Sequence, residues 1–238
     1  MRTAVMIPTY NEVENLPILA EQLLSLGAPL DIVVVDDASP DGTGRVADEI
    51  AANNARFHVI HRVGSRGYAA ASKEGLRWCL DRDYDAIGTM DADLSHDPTV
   101  MPTLLSRIED GADLAIGSRY VQGGKLEVDW GPMRRAVSQA GSLYARTMIG
   151  TPVRDCTSGF RCYRAAMLRD VEFESIDADG YCFLIELLAE LKKRDAHVTE
   201  VPITYVDRCA GASKISRGII LEALIRTTGL GARRLAGR

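Results

Sequence analysis

The run Ile32-Val33-Val34-Val35-Asp36-Asp37-Ala38-Ser39-Pro40-Asp41-Gly42-Thr43 passes abruptly from apolar to polar. Its first four residues are all β-branched and read as a strand. Ser39-Pro40-Asp41-Gly42 is turn and N-cap chemistry, and an amphipathic helix is predicted over Thr43–Ala52. The same unit recurs on both sides. Upstream, a strand over Thr3–Ile7 precedes a helix over Glu14–Leu26; downstream, strands over Phe57–Ile60, Ala86–Met90 and Leu114–Ile116 alternate with helices over Ala69–Leu80 and Val100–Ile108. Such alternation predicts an α/β fold, a mostly parallel sheet sandwiched by helices. Ligands of such sheets bind outside the carboxyl ends of the strands, so the polar residues after each apolar run are the candidates for chemistry.

Beyond Gly123 the rhythm changes. Gly123-Gly124, Trp130-Gly131-Pro132 and Asp155–Arg161 interrupt longer helical segments predicted near Arg135–Ile149 and Phe183–Arg194. A late strand, Val198–Val206, leads into a polar loop, Asp207–Ser213, and an amphipathic helix over Ile215–Leu230. No internal repeat or linker divides the 238 residues, so one domain is expected. Lys and Arg number 28 against 33 Asp and Glu, a balance that argues against a nucleic-acid binder. No apolar run reaches the roughly 18 residues of a membrane span. Pro8 follows the first strand at once, leaving no secretory core. The five cysteines, Cys79, Cys156, Cys162, Cys182 and Cys209, are odd in number and make no Cys-x-x-Cys pair. Neither a disulfide framework nor a zinc site is indicated, and a reduced, cytoplasmic protein is expected.

The first strand ends in Pro8-Thr9-Tyr10-Asn11-Glu12, where a dinucleotide-binding unit would need Gly-x-Gly-x-x-Gly. A ring and a carboxylate here can hold a base by stacking and hydrogen bonding, or simply end a strand and start a helix. Asp36 and Asp37 point to opposite faces, so one ties down the turn and the other, taken as Asp37, faces the crevice. The sharpest signal is Met90-Asp91-Ala92-Asp93-Leu94-Ser95-His96-Asp97-Pro98. In extended geometry Asp91 and Asp93 share one face, and like charges so placed repel unless a cation lies between them. Oxygen-only ligation suits Mg²⁺ or Mn²⁺ with a diphosphate completing the shell. The competing reading, an acidic turn capping the next helix, is already accounted for by Asp97-Pro98, and His96 reads as structural. Gly117-Ser118-Arg119-Tyr120 follows a strand, and Arg134 and Ser138 stand four apart on a helix, spaced to hold one phosphate. Arg208 and Lys214 flank the last loop. Together these make an anion cradle.

At this point the chain resembles a known family. PTYNEVENLP (8–17), VVVDDASPDGT (33–43), MDADLSHDP (90–98) and GSRYVQGG (117–124) occur in the order found in polyprenol-phosphate (dolichol-phosphate) mannosyltransferases. These are inverting glycosyltransferases of the GT-A fold. DCTSGFRCYR (155–164), DGYCFLIEL (179–187) and VDRCAGASKIS (206–216) extend the resemblance to about Ser216. It implies that Pro8, Tyr10, Glu12, Val35 and Asp37 contact the nucleoside of GDP-mannose, with Asp91, Ala92 and Asp93 at the diphosphate and a Mg²⁺ or Mn²⁺ ion. Arg119, Arg208 and Lys214 are implied at phosphate groups, and Arg134 and Ser138 at the phosphate of a polyprenyl phosphate acceptor. The catalytic set so implied is Asp93, Arg119, Arg134 and Ser138. The domain then divides into a nucleotide-sugar half (1–122), an acceptor half (123–214) and a C-terminal amphipathic helix (215–238), which is expected either to bring the protein to the cytoplasmic face of the membrane or to close the domain core with its apolar face. A separate membrane subunit is a further expected partner. His61–Tyr68 departs from the Gly-Leu-Gly pattern usual after the third strand, a departure by which Arg66 and Tyr68 could alter the nucleotide or sugar site. Rival readings are a relative using another nucleotide sugar or acceptor, and a non-catalytic subunit of a membrane synthase.

Overall fold

The computed structural model describes residues 1–128, 131–176, 178, 180, 182–206 and 217–236, with backbone alone at 132, 134 and 217–223. The strands are β1 (Thr3–Thr9), β2 (Leu30–Asp36), β3 (Phe57–His61), β4 (Ala86–Thr89), β5 (Leu114–Ser118), β6 (Lys125–Glu127), β7 (Arg161–Arg164), β8 (Val198–Pro202) and β9 (Thr204–Val206). The helices are α1 (Asn15–Leu24), α2 (Thr43–Asn53), α3 (Tyr68–Leu80), α4 (Met101–Glu109), α5 (Pro132–Ile149), α6 (Ala165–Arg169), α7 (Cys182–Lys193) and α8 (Arg217–Leu235). Seven strands form one sheet in the order β3-β2-β1-β4-β7-β5-β8, parallel except for β7, while β6 and β9 pair separately. The mostly parallel α/β sheet is therefore as expected, with two corrections. β7, absent from the sequence reading, runs antiparallel at the centre of the sheet between β4 and β5. The single late strand is two: β8 stays on the sheet edge and β9 crosses to β6, the chain bending at Ile203, whose N–H donates to the Ser118 carbonyl.

Burial on both faces of the sheet explains the uniform apolar character of β1 and β2. Val5, Ile7, Ile32 and Val34 pack with Leu16, Leu19 and Leu23 of α1 and Leu104 and Ile108 of α4. The alternating set Met6, Val33 and Val35 belongs to the opposite layer, with Leu76 of α3 and Leu187 and Leu191 of α7. Pro8 fits this central strand because residues two apart face the same neighbour: Met6 is the last residue of β1 paired with β4, so the missing N–H of Pro8 falls beyond that ladder. The four described cysteines are buried free thiols, and burial pushes Cys79 and Cys156 up to about 12.

The C-terminal helix divides its apolar residues. Thr227 is buried and Leu230 packs against the core, whereas Leu224 and Ile225 are exposed. The amphipathic pattern predicted over Ile215–Leu230 also includes Ile219, Ile220 and Ala223, whose side chains are not described, and Ile215, which lies outside the described residues. Met133, Val137 and Leu143 of α5 are exposed as well. No described helix is long and apolar enough to cross a membrane.

Helix α3 lies close against the sheet at Gly75. A Cβ there would stand 2.5 Å from Met6 Cγ and 2.7 Å from Val35 Cγ2. Both neighbours are core side chains with no room to retreat, so Gly75→Ala should cost about 1–3 kcal/mol despite the better helix propensity of alanine. Urea unfolding checks this; a variant as stable as the wild type would mean that α3 is not wedged against β1 and β2.

Candidate active site

The register pairs Pro8 with Val35 and Thr9 with Asp36, so the loops after β1 and β2 leave the sheet side by side. They are stitched together. Asn11 N–H donates to Ser39 Oγ (3.0 Å), Glu12 N–H to Thr43 Oγ1 (2.9 Å) and Val13 N–H to Asp41 Oδ2 (3.2 Å). Asp41 also accepts from the Thr43 hydroxyl at 2.6 Å; burial would raise its pKa, but these hydrogen bonds outweigh it and hold the carboxyl below its ordinary value. Asp36 ties down its own turn by accepting from Ser39 N–H at 3.2 Å, as expected. Asp37 is buried and already engaged: it pairs with Arg62 and accepts from Gly67 N–H at 2.7 Å. Thus the carboxylate assigned to the crevice also fastens the loop after β3.

Strand β4 stops at Thr89, so Asp91 and Asp93 stand in the turn beyond it rather than on a strand face. Leu94 takes a left-handed conformation (φ +60°) and reverses the chain. Asn11 and Ala38 do the same at the ends of β1 and β2 (φ +57° and +54°). Alanine and leucine pay a steric cost in this region, and such residues cluster where a site fixes the backbone. Asp93 is buried and its Oδ1 accepts from Ser95 Oγ at 2.6 Å and Ser95 N–H at 3.2 Å. Asp97 caps the following turn by accepting from Thr99 N–H at 2.9 Å. His96 is structural: it stacks on Phe160 with centroids 5.0 Å apart. Burial pulls its pKa down to about 4 against the opposing influence of Asp93, so the ring is neutral at pH 7. Asp91 Oδ1 and Tyr68 Oη close on Gly159, each 3.1 Å from where a Cβ would stand, an approach that the absent side chain permits. Two carboxylates in one turn, Asp91 and Asp93, are the oxygen donors that fit a small hard cation keeping few protein ligands. No group of three or more potential ligands occurs among the described residues. Any such ion would draw the rest of its shell from substrate and water.

Sequence reasoning missed what holds this region. Asp155 is fully buried and receives Arg119 through Nε and Nη2, both at 2.7 Å, and through the Arg119 N–H at 3.0 Å. Burial would raise the Asp155 pKa, but Arg119 holds it well below the usual carboxylate range; Asp155 in turn raises Arg119 against its own burial. Arg119, assigned to a phosphate, is thus neutralised by a carboxylate and half of a rigid pair. Arg161, also fully buried, donates to the carbonyls of Cys156 (2.7 Å), Ser158 (2.7 Å) and Leu184 (3.0 Å). These contacts fix the 155–159 loop in front of Asp91. Ser138 lies 2.8 Å from the Tyr120 hydroxyl, next in sequence to Arg119. The Arg134 side chain, Arg208 and Lys214 lie outside the described residues.

An acidic turn at the carboxyl end of a central parallel strand, with one antiparallel strand inserted beside it, is the GT-A arrangement of nucleotide-sugar transferases. The pattern of Glycosyl transferase family 2 matches residues 4–172, and the chain belongs to that family. The chain is 46% identical over 235 residues to an undecaprenyl-phosphate mannosyltransferase of Micrococcus luteus, covering 98% of this chain and 96% of that one. It is 43% identical over 233 residues to a polyprenol monophosphomannose synthase of Mycolicibacterium smegmatis, covering 98% and 88%. Among solved structures, glucosyl-3-phosphoglycerate synthase from Mycobacterium tuberculosis, in complex with Mn²⁺, UDP-glucose and phosphoglyceric acid, superposes with a TM-score of 0.68. It is 21% identical, covers 97% of this chain and 80% of that chain, and supports the fold.

Removing the Asp155 charge leaves Arg119 buried and unpaired, so Asp155→Asn should cost about 3–5 kcal/mol at pH 7. The carboxyl is depressed in the folded state. Its contribution is therefore complete above the ordinary value of 3.8 and is lost as pH falls below it. Denaturant unfolding at pH 7 and pH 3 should show the two proteins converging in acid, whereas an unchanged gap would count against the pair.

Proposed function

We propose that this chain transfers mannose from GDP-mannose to a polyprenyl phosphate, with inversion to a β-linked product. What carries the reading is the acidic pair Asp91 and Asp93 in the turn beyond β4, in a chain whose near-full-length relatives are named for joining mannose to a polyprenol phosphate. Pro8, Tyr10, Glu12, Val35 and Asp37 line the ends of β1 and β2 and take the nucleoside. Asp91, Ala92 and Asp93 take the diphosphate with Mg²⁺ or Mn²⁺. Arg119, Arg208 and Lys214 face phosphate groups, while Arg134 and Ser138 on the acceptor side hold the lipid phosphate.

A phosphate monoester has its second pKa near 6 and is mostly dianionic at pH 7, so the acceptor needs no general base to become a nucleophile. The protein has instead to bring two anions together, align one phosphate oxygen with the anomeric carbon and favour departure of GDP. Arg134 offsets the charge repulsion and Ser138, steadied by Tyr120, orients the acceptor. The Arg119–Asp155 pair holds the end of β5 against the 155–159 loop, so donor and acceptor sides keep a constant spacing. A divalent cation held by Asp91 and Asp93 would supply Lewis-acid stabilisation of the leaving diphosphate.

A lipid acceptor requires a membrane surface. Helices α5 and α8 carry seven arginines and one glutamate, in a protein whose overall formal charge is −5. Exposed Met133, Val137, Leu143, Leu224 and Ile225 lie on the same two helices. Apolar and basic groups so combined suit the headgroup region of an anionic bilayer, where each cation contributes about 1 kcal/mol.

Asp93→Asn should leave the fold intact and lower turnover at least ~100-fold, the scale of losing a leaving-group stabiliser. A radiolabelled-mannose transfer assay with a short polyprenyl phosphate tests this, and EDTA should act alike. Near-normal transfer in either case would remove the metal assignment. Replacing Met133, Val137 and Leu143 together by serine should abolish sedimentation with anionic vesicles without lowering the melting temperature, because all three side chains are exposed. Undiminished sedimentation would move the membrane contact elsewhere.

A further inference from the structure

We infer that Arg66 reads the base of the donor nucleotide and selects a guanine over a pyrimidine or adenine, an inference that rests on the donor assignment above. The loop after β3 is clamped at both ends. Arg62 pairs with Asp37, bonds Glu74 through Nε at 2.9 Å and donates through Nη2 to the Ser65 carbonyl at 3.2 Å. Gly67 N–H is held by the same Asp37. Gly64, at φ +121°, permits the turn between these anchors. The consequence is that Arg66 is not a loose surface cation. Its guanidinium sits 4.9 Å from the centroid of the Tyr10 ring, donates through Nη1 to Tyr10 Oη at 2.8 Å and through Nη2 to the Ala38 carbonyl at 3.1 Å. It therefore spans the two loops that leave β1 and β2, where the nucleoside is assigned.

Two of its five N–H groups serve Tyr10 and Ala38, which leaves three for a ligand. Among the described residues no carboxylate forms an ion pair with it. A planar fork of N–H donors beside an aromatic ring has a particular complement, a flat base presenting two adjacent acceptors. Guanine offers N7 and O6 side by side. Adenine replaces the second acceptor with an amino donor, and uracil flanks each carbonyl with an N–H. The guanidinium supplies the discrimination.

Calorimetric titration of the whole protein with GDP, 7-deaza-GDP, ADP and UDP, in the presence of Mg²⁺, tests this for the wild type, Arg66→Ala and Arg66→Lys. The wild type should bind GDP at least about tenfold more tightly than 7-deaza-GDP, ADP or UDP, the scale of one bidentate base contact. Arg66→Ala should lose about that factor for GDP and little for the others. Arg66→Lys should behave as Arg66→Ala, because charge without the fork does not read two acceptors. The melting temperatures of the nucleotide-free variants should match the wild type, since the side chain is exposed. Equal weakening of all four ligands would make Arg66 a phosphate contact and overturn the inference, as would a GDP preference untouched by either variant. A wild type that prefers UDP would overturn the donor assignment itself, and this inference with it.

Discussion

The buried guanidinium of Arg161 is the constraint on which the site depends. A cation removed from water is costly unless its donors are satisfied, and Arg161 finds carbonyls of Cys156, Ser158 and Leu184. Meeting that requirement forces the 155–159 segment into a fixed path between β7 and α7. The path sets Asp155 where it can take Arg119 in a bidentate grip, and sets Gly159 beside Asp91. Thr89 adds a further tie, donating to the Gly159 carbonyl at 2.8 Å. Asp91, Arg119 and Asp155 are thereby referred to one buried charge.

A second economy lies in how the two nucleoside loops are organised. Neither is rich in glycine, and neither offers a row of backbone N–H groups to a pyrophosphate. Instead, Ser39, Asp41 and Thr43 consume the N–H groups of Asn11, Glu12 and Val13. Those donors are withdrawn from ligand binding, which leaves a ring, side-chain carboxylates and cations to do it. That is the chemistry of a base and a metal-chelated diphosphate rather than of a dinucleotide cradled by backbone.

The sequence made legible what is local and repeated. The β-branched runs of β1 and β2, the helix periods of α1 to α4 and the polar residues after each strand announce the sheet and the end at which chemistry collects. It hid what depends on long-range satisfaction. β7 is four residues with arginine at each end, a pattern that reads as loop; only the carbonyls around Arg161 make it the middle of a sheet. Asp155 looked like one polar residue in an irregular stretch because its partner is 36 positions away. Asp37 was read as facing a ligand, and its grip on Arg62 and Gly67 could not be seen without the fold. The departure at 61–68 was visible as a departure, but its placement over Tyr10 was not.

Net charge is a poor guide to a protein that handles two polyanions. At −5 overall, the chain should repel a nucleoside diphosphate and a lipid phosphate alike. What counts is how the charge is distributed over distances comparable with the Debye length of about 8–10 Å. The arginines of α5 and α8 are concentrated on two helices that pack together. Asp37 is tied to Arg62, Asp93 to Ser95 and Asp155 to Arg119. Arg66 differs from these, a cation held by a phenol and a carbonyl rather than by a carboxylate. Because those two partners are neutral, the positive charge of Arg66 is not cancelled locally. The same side chain can then combine a directional fork with an electrostatic pull on an electron-rich base edge.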